Sequence, residues 1–156
     1  MISLTISKTK LPNATTRVCL PHDKRVKARV RVTLEDGRDA GIFLERGEVL
    51  SGGDTLVSED GVVVEVMEEK ETVSVVQIDD ALQLAKACYH LGNRHVGLQI
   101  SDNQLCYLHD HVLDDMLRKQ GYTVKTCMMP FTPESGSYGH SHHGDDHHEH
   151  THHHAD

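Results

Sequence analysis

The charged bridge Glu68-Glu69-Lys70-Glu71 divides the chain into two stretches of different hydrophobic rhythm, and that change limits the fold more than any other feature. Before the bridge lie short runs rich in β-branched residues: ISLTI, RVCL, ARVRVTL, AGIFL and VVVEVM. Turn signals at Asp36-Gly37 and Glu59-Asp60-Gly61 break them up, with further bends at Gly41, Gly47 and Gly52-Gly53-Asp54. Residues 1–70 are therefore expected to form an all-β domain, a small meander or sandwich of hairpins.

Beyond the bridge the period changes. Residues 72–78 form an apolar strand, and Asp79-Asp80 supply an N-cap and a negative first turn. Ala81, Leu82, Leu84, Ala85, Cys88 and Tyr89 recur at helical spacing, and Gly92 is placed to stop the helix. A strand over 96–100, a turn at Ser101-Asp102-Asn103 and a strand over 105–108 follow. Asp110 caps a second helix with Val112, Leu113, Met116 and Leu117 on its apolar face; Gly121 ends it, and 122–129 is a final strand. The order βαββαβ over residues 71–133 is the ferredoxin-like arrangement, so the fold class is α+β.

Residues 134–156 cannot extend either domain. They hold nine of the fourteen histidines: His140, His142, His143, His147, His148, His150, His152, His153 and His154. Apart from Tyr138 and Ala155 the rest is polar or Gly, so nothing there can build a core, and a disordered tail is expected. Expression tags are usually unbroken His runs, whereas Gly, Ser, Asp, Glu and Thr interrupt these. Imidazole suits nickel, copper and zinc, so clustering of this kind binds metal.

Charge and hydropathy exclude several classes. The net charge is -8; Glu134, Asp145, Asp146, Glu149 and Asp156 carry five of those charges, leaving the remainder close to balanced. No basic footprint for nucleic acid exists, and no apolar run approaches the ~20 residues that cross a bilayer. The polar start MISLTISKTKLPN is unlike a secretory leader, and Cys19, Cys88, Cys106 and Cys127 form no C-x-x-C pair. A cytoplasmic protein with reduced, core-packed cysteines is expected.

A flexible tail cannot select one divalent ion, because affinity rises towards copper whatever the protein prefers. Selection needs a fixed site, and the candidate is His95 in Tyr89-His90-Leu91-Gly92-Asn93-Arg94-His95, with His90 a structural residue on the helix end. One imidazole is not enough, but a two-fold dimer brings a residue near the axis beside its own copy. The alternative is a hydrogen-bonded loop histidine. His109-Asp110-His111 is the second candidate. On an extended segment its two imidazoles point the same way, whereas at a helix start Asp110 is only a cap. Arg25, Lys27, Arg29 and Arg31 alternate with Val26, Ala28, Val30 and Val32, which on a strand makes a basic face, either a solvated surface or a dock for an acidic partner. No phosphate loop, H-E-x-x-H, nucleophile elbow or paired-carboxylate arrangement supports catalysis.

The Gly-Asn-Arg-His segment, the run His109-Asp110-His111-Val112-Leu113-Asp114-Asp115-Met116-Leu117 and the His-rich terminus together resemble the UreE family of urease accessory proteins. The likeness extends to residues 34–39 and Gly52-Gly53-Asp54 in the first domain. It implies a homodimer, with a metal-dependent tetramer left open, and an N-terminal domain likened to chaperone peptide-binding domains. His95 then matches an interfacial nickel ligand given by both subunits, and His109 and His111 match peripheral metal ligands. The implied role is delivery of Ni(II) to apo-urease alongside other accessory proteins including a GTPase, with Zn(II) or Cu(II) also able to bind. Some relatives carry Cys just before the Asp-Asp that opens the first helix; here that position is Ile78. The competing readings are a His-rich metal store without a delivery partner and, further off, a metal-dependent hydrolase.

Overall fold

The computed structural model describes residues 1–135, and the expected disordered tail lies almost wholly outside them. The N-terminal half contains β1 (Ile2–Ile6), β2 (Thr16–Leu20), a single helical turn α1 (His22–Arg25), β3 (Arg29–Thr33), β4 (Asp39–Phe43), β5 (Thr55–Val57) and β6 (Val63–Glu68). These strands form one sheet in the order β2-β6-β5-β1-β4-β3. Its edges approach each other, because the Glu35 amide beyond β3 donates to the Arg17 carbonyl of β2 at 2.9 Å. The result is barrel-like, filled by Leu4, Val18, Leu20, Ile42, Leu50, Leu56, Val64 and Val66.

The strands fall close to where β-branched alternation puts them, but their pairing is not a meander. β1 runs parallel to β4 and β2 parallel to β6, with antiparallel hairpins only at β3–β4 and β5–β6. The two hairpin turns carry Gly37 at φ +90° and Gly61 at φ +84°, a left-handed backbone that a side chain strains. Parallel pairing depends on long connections, which local periodicity cannot reveal.

The second half contains β7 (Lys70–Gln77), α2 (Ala81–Asn93), β8 (Gln99–Ser101), β9 (Gln104–Leu108), α3 (His111–Lys119) and β10 (Val124–Pro130). Its sheet order is β10-β7-β9-β8 and every pair is antiparallel. The helices cover one face, burying Val76, Ile78, Ala87, Leu91, Leu105, Tyr107, Leu113 and Leu117. Asp80 caps α2 by accepting from the Gln83 amide at 2.8 Å, and Asp110 caps α3 by accepting from the Val112 amide at 2.9 Å. Gly121 follows α3 at φ +94°, as a terminating glycine should.

Two local expectations need correction. Gly92 does not end α2; the helix runs on to Asn93, and the left-handed residue is His95 at φ +59°. The buried face of α2 is also rotated from the expected one. Leu84, Ala87, Cys88 and Leu91 pack inward, while Leu82 and Tyr89 stand 61% and 66% exposed. The helix therefore has a second apolar stripe that the described residues leave uncovered.

The two halves are joined by one residue, Glu69, and by a buried knot of polar contacts. Arg25, at the end of α1, has no exposed surface. Its guanidinium donates to the carbonyls of Leu20 and Leu50, to Glu68 Oε1 at 2.9 Å and, across the junction, to the Phe131 carbonyl at 2.7 Å. Beyond β10 the chain turns back. Phe131 is buried with its ring edge-on to His22, the Thr132 amide donates to Gln99 Oε1, and the Glu134 amide donates to the Leu98 carbonyl at 2.7 Å. This strap is tied down to residue 134, where the sequence places the start of the tail.

Candidate metal-binding site

Five of the fourteen histidines fall in the described residues, and the fold treats them differently. His95 sits in the turn after α2, exposed, its amide donating to the Gly92 carbonyl at 3.0 Å. A left-handed non-glycine residue is uncommon and costs roughly 1–2 kcal/mol, so the turn holds His95 in a posture that propensity alone does not supply. His90 is also exposed, on the last turns of α2, its ring edge-on to Tyr89 at 5.6 Å. His22 is buried at the junction. Burial, reinforced by the neighbouring Arg25 charge, pushes its pKa below the ordinary histidine value, so it is held neutral and packed.

His109 and His111 flank the helix cap. Asp110 caps α3 from an extended backbone, φ -147° and ψ 114°, and His111 is the first residue of the helix, so the cap and the extended spacing of the two histidines coexist here. His111 is exposed beside Arg94, Asp115 and Lys119. The His109 ring is only 40% exposed and is tethered on one side, with Nδ1 lying 3.2 Å from Ser74 Oγ and 3.2 Å from Asp114 Oδ2. Asp114 is 1% exposed and also accepts from the Tyr107 hydroxyl at 2.6 Å. Burial pushes the Asp114 carboxyl up, but hydrogen bonds from Ser74 and Tyr107, with the charges of His109 and Arg118, outweigh that and hold it below the usual range. Burial, then the bond to Asp114, pushes the Tyr107 phenol far up. The sequence contains a clue to this network: Asp114 lies three residues before Leu117 and beside Leu113 on the buried face of α3.

The basic face is smaller than expected. Arg25 leaves it altogether, because α1 turns the chain inward and the guanidinium is consumed at the junction. Lys27 precedes the strand and is exposed, and only Arg29 and Arg31 alternate on β3. Arg31 pairs with Asp39 at 3.0 Å, and Arg29 lies 6.0 Å over the Phe43 ring.

Thiolate chemistry has little support. Ile78 is buried in the second core, so the position before Asp79-Asp80 packs and offers no donor. The cysteines are unpaired, but only Cys106 is buried, and Cys19 and Cys127 are exposed, which corrects the expectation that all four are core residues. Burial pushes the thiols of Cys88 and Cys106 up, and partial desolvation with the charges of Glu69 and Glu35 does the same at exposed Cys19, away from the thiolate form. Among the described residues no three His, Cys, Asp or Glu side chains meet as a cage. No helix among them is long and apolar enough to cross a membrane.

The same stretch that holds these residues matches a model described as the UreE urease accessory protein, C-terminal domain, over residues 71–155. Residues 5–67 match the corresponding N-terminal domain model. The chain belongs to the UreE family. It is 54% identical over 134 residues to the urease accessory protein UreE of Citrobacter koseri, covering 85% of this chain and 88% of that one. It is 51% identical to the UreE of Proteus mirabilis over 139 residues, covering 89% of this chain and 85% of the relative. The UreE of Escherichia coli O157:H7 is 51% identical over 140 residues, covering 89% and 91%. The boundary between the two UreE domain models falls on the bridge at 68–71, where β6 gives way to β7.

Proposed function

We propose that this UreE-family protein serves urease maturation as a nickel-binding metallochaperone, delivering Ni(II) to apo-urease without catalysing a reaction itself. The observation that carries this reading is His95, an exposed imidazole held in a left-handed turn. A single protomer supplies one donor there, so a tight site needs a second copy. The uncovered stripe of Leu82 and Tyr89 on the same helix is a surface on which such a copy can pack, giving a homodimer with His95 from both subunits. Two imidazoles, further histidines from residues 134–156 and water then make a nitrogen-rich shell from which an ion can leave. Zn(II) and Cu(II) can enter the same shell. His111 and the tail are secondary, weaker ligands.

The second half is read as ferredoxin-like, the metal-binding and dimerisation domain. The barrel-like half is read as the partner domain, with Lys27, Arg29 and Arg31 facing an acidic surface of apo-urease or of another accessory protein, including the GTPase. The setting is the cytoplasm, where these partners are made. Calorimetric titration of full-length protein with Ni(II), with light scattering for mass, tests the reading. A dimer with one tight ion, lost in His95→Ala while weaker binding persists, supports it. Full affinity and unchanged stoichiometry in His95→Ala overturn it.

A passive metal store is the second reading, favoured by the nine clustered histidines of the terminus. Nickel transfer to apo-urease across a dialysis membrane, compared with transfer in direct contact, separates the two. A carrier needs contact and a store does not.

A further inference from the structure

Of the four exposed histidines among the described residues, His109 is set apart by a buried carboxylate at its ring. The polar cluster behind it is complete. Ser74 is 0% exposed on β7, Tyr107 is 0% exposed on β9, and Asp114 is 1% exposed on the inner face of α3. The Tyr107 hydroxyl donates to Asp114 Oδ1 at 2.6 Å, and His109 Nδ1 lies 3.2 Å from Asp114 Oδ2 and 3.2 Å from Ser74 Oγ. An ionised carboxylate accepts and cannot donate, and the Ser74 hydroxyl can accept as well as donate, so the Asp114 oxygen at Nδ1 favours the neutral tautomer that carries its proton there. That leaves Nε2 unprotonated on the opposite, outer side of the ring, where no hydrogen bond from the described residues engages it. A carboxylate that fixes the tautomer and orientation of an imidazole is the usual support behind a metal-ligating histidine.

We propose that Asp114 is the positioning residue that prepares His109 Nε2 as a ligand for a borderline divalent ion such as Ni(II). This rests on the reading of the protein as a nickel carrier and adds to it a division between prepared and unprepared imidazoles. His111, two residues on, lacks such a partner and serves at most as an opportunistic second donor. Buried polar groups are expensive when half satisfied, yet all three here are paired, and among the described residues no buried side-chain polar atom lacks a partner. The three side chains come from β7, β9 and α3, so the core of the domain itself sets the ring's orientation.

The test is nitrogen-15 NMR of the histidine rings in the full-length protein, wild type, Asp114→Asn and Tyr107→Phe, first without metal and then through a Ni(II) titration. Wild-type His109 is expected as the Nδ1-protonated tautomer, and Asp114→Asn, whose amide can donate as well as accept, as a mixture of tautomers. Ni(II) occupancy at His109, read from its own ring signals, should weaken by about ten- to a hundredfold in Asp114→Asn. Tyr107→Phe removes a buried hydrogen bond but keeps the carboxylate on the imidazole, so it should leave His109 within a few-fold of wild type. A wild-type His109 protonated on Nε2 overturns the proposal whatever the variants do. So does an unchanged tautomer and affinity in Asp114→Asn, or an equal loss in Tyr107→Phe, which would make the effect one of packing. The His95 signals report separately: their indifference to Ni(II) would count against the carrier reading and leave the tautomer result standing.

Discussion

Arg25 and Glu68 meet at 2.9 Å between the two sheets, the guanidinium fully buried and the carboxylate about a quarter exposed. They are 43 residues apart in sequence. The pair fixes the end of β6 against α1, while the other guanidinium nitrogens hold the carbonyls of Leu20 and Phe131, so one side chain ties three segments together.

Arg25→Ala removes that tie and strands three buried carbonyls beside a cavity. Breaking a buried pair in this way typically costs about 3–5 kcal/mol, and urea unfolding of the variant should show a loss of that order. Glu68→Gln keeps an acceptor for the guanidinium and lies partly in solvent, so its loss should be clearly smaller.

At His22 the sign of the pH effect follows from its lowered pKa, caused first by burial and then by Arg25. The unfolded chain binds the proton more readily than the folded one, so protonation favours unfolding. The stability contributed by neutral His22 is complete above the ordinary value of 6.5 and is lost as pH falls through the lower folded-state value. Melting temperature should therefore decline as pH falls below 6.5, and His22→Gln should flatten that slope.

Gly92 occupies an ordinary helical position, and a methyl group built there meets nothing within 4 Å. Gly92→Ala should raise stability by about 0.5–1 kcal/mol through helix propensity. A loss instead, measured by thermal unfolding, would mean that another surface packs against this turn of α2.

Tyr89→Asp puts a charge into the exposed apolar stripe of α2. If that stripe is the dimer contact, light scattering should show the mass fall towards one protomer while circular dichroism stays unchanged. A dimer that persists would move the interface elsewhere.

Chain removal should begin after Ser135. Glu134 is bonded to Leu98, so deleting residues 136–156 keeps the strap, whereas cutting at 133 opens it. The 1–135 form should lose most nickel capacity in calorimetry yet keep one tight ion per dimer. Loss of all binding would place the site in the terminus.

Much of the second half was legible because local signals agreed: Asp80 and Asp110 cap helices, and Gly121 ends one. Gly92 misled because a glycine near a helix end resembles a stop, while the packing of Leu91 and the turn at His95 carried the helix past it. In the first half, alternation located β3 but extended it too far back, since it could not register that Pro21 starts a helical turn. The parallel pairs β1–β4 and β2–β6 leave no local trace. The same applies to the candidate site. His95 and His109 stand out by residue type, but Ser74 behind His109 is 35 residues away and only the folded sheet brings it there.

The anchored strap fixes the point from which the histidine-rich terminus sets out. His140, the first of the nine terminal histidines, lies six residues past the bond at Glu134, so its backbone can stray no more than ~25 Å from the Leu98 carbonyl, at 3.3–3.6 Å per residue plus the bond itself. Leu98 is itself three residues from His95. A flexible tether of this length would give its imidazole an effective concentration at the His95 turn on the order of millimolar, however dilute the protein. If both bind an ion as proposed, exchange between terminus and turn should be first-order, its rate indifferent to protein concentration while collision with a separate partner is not.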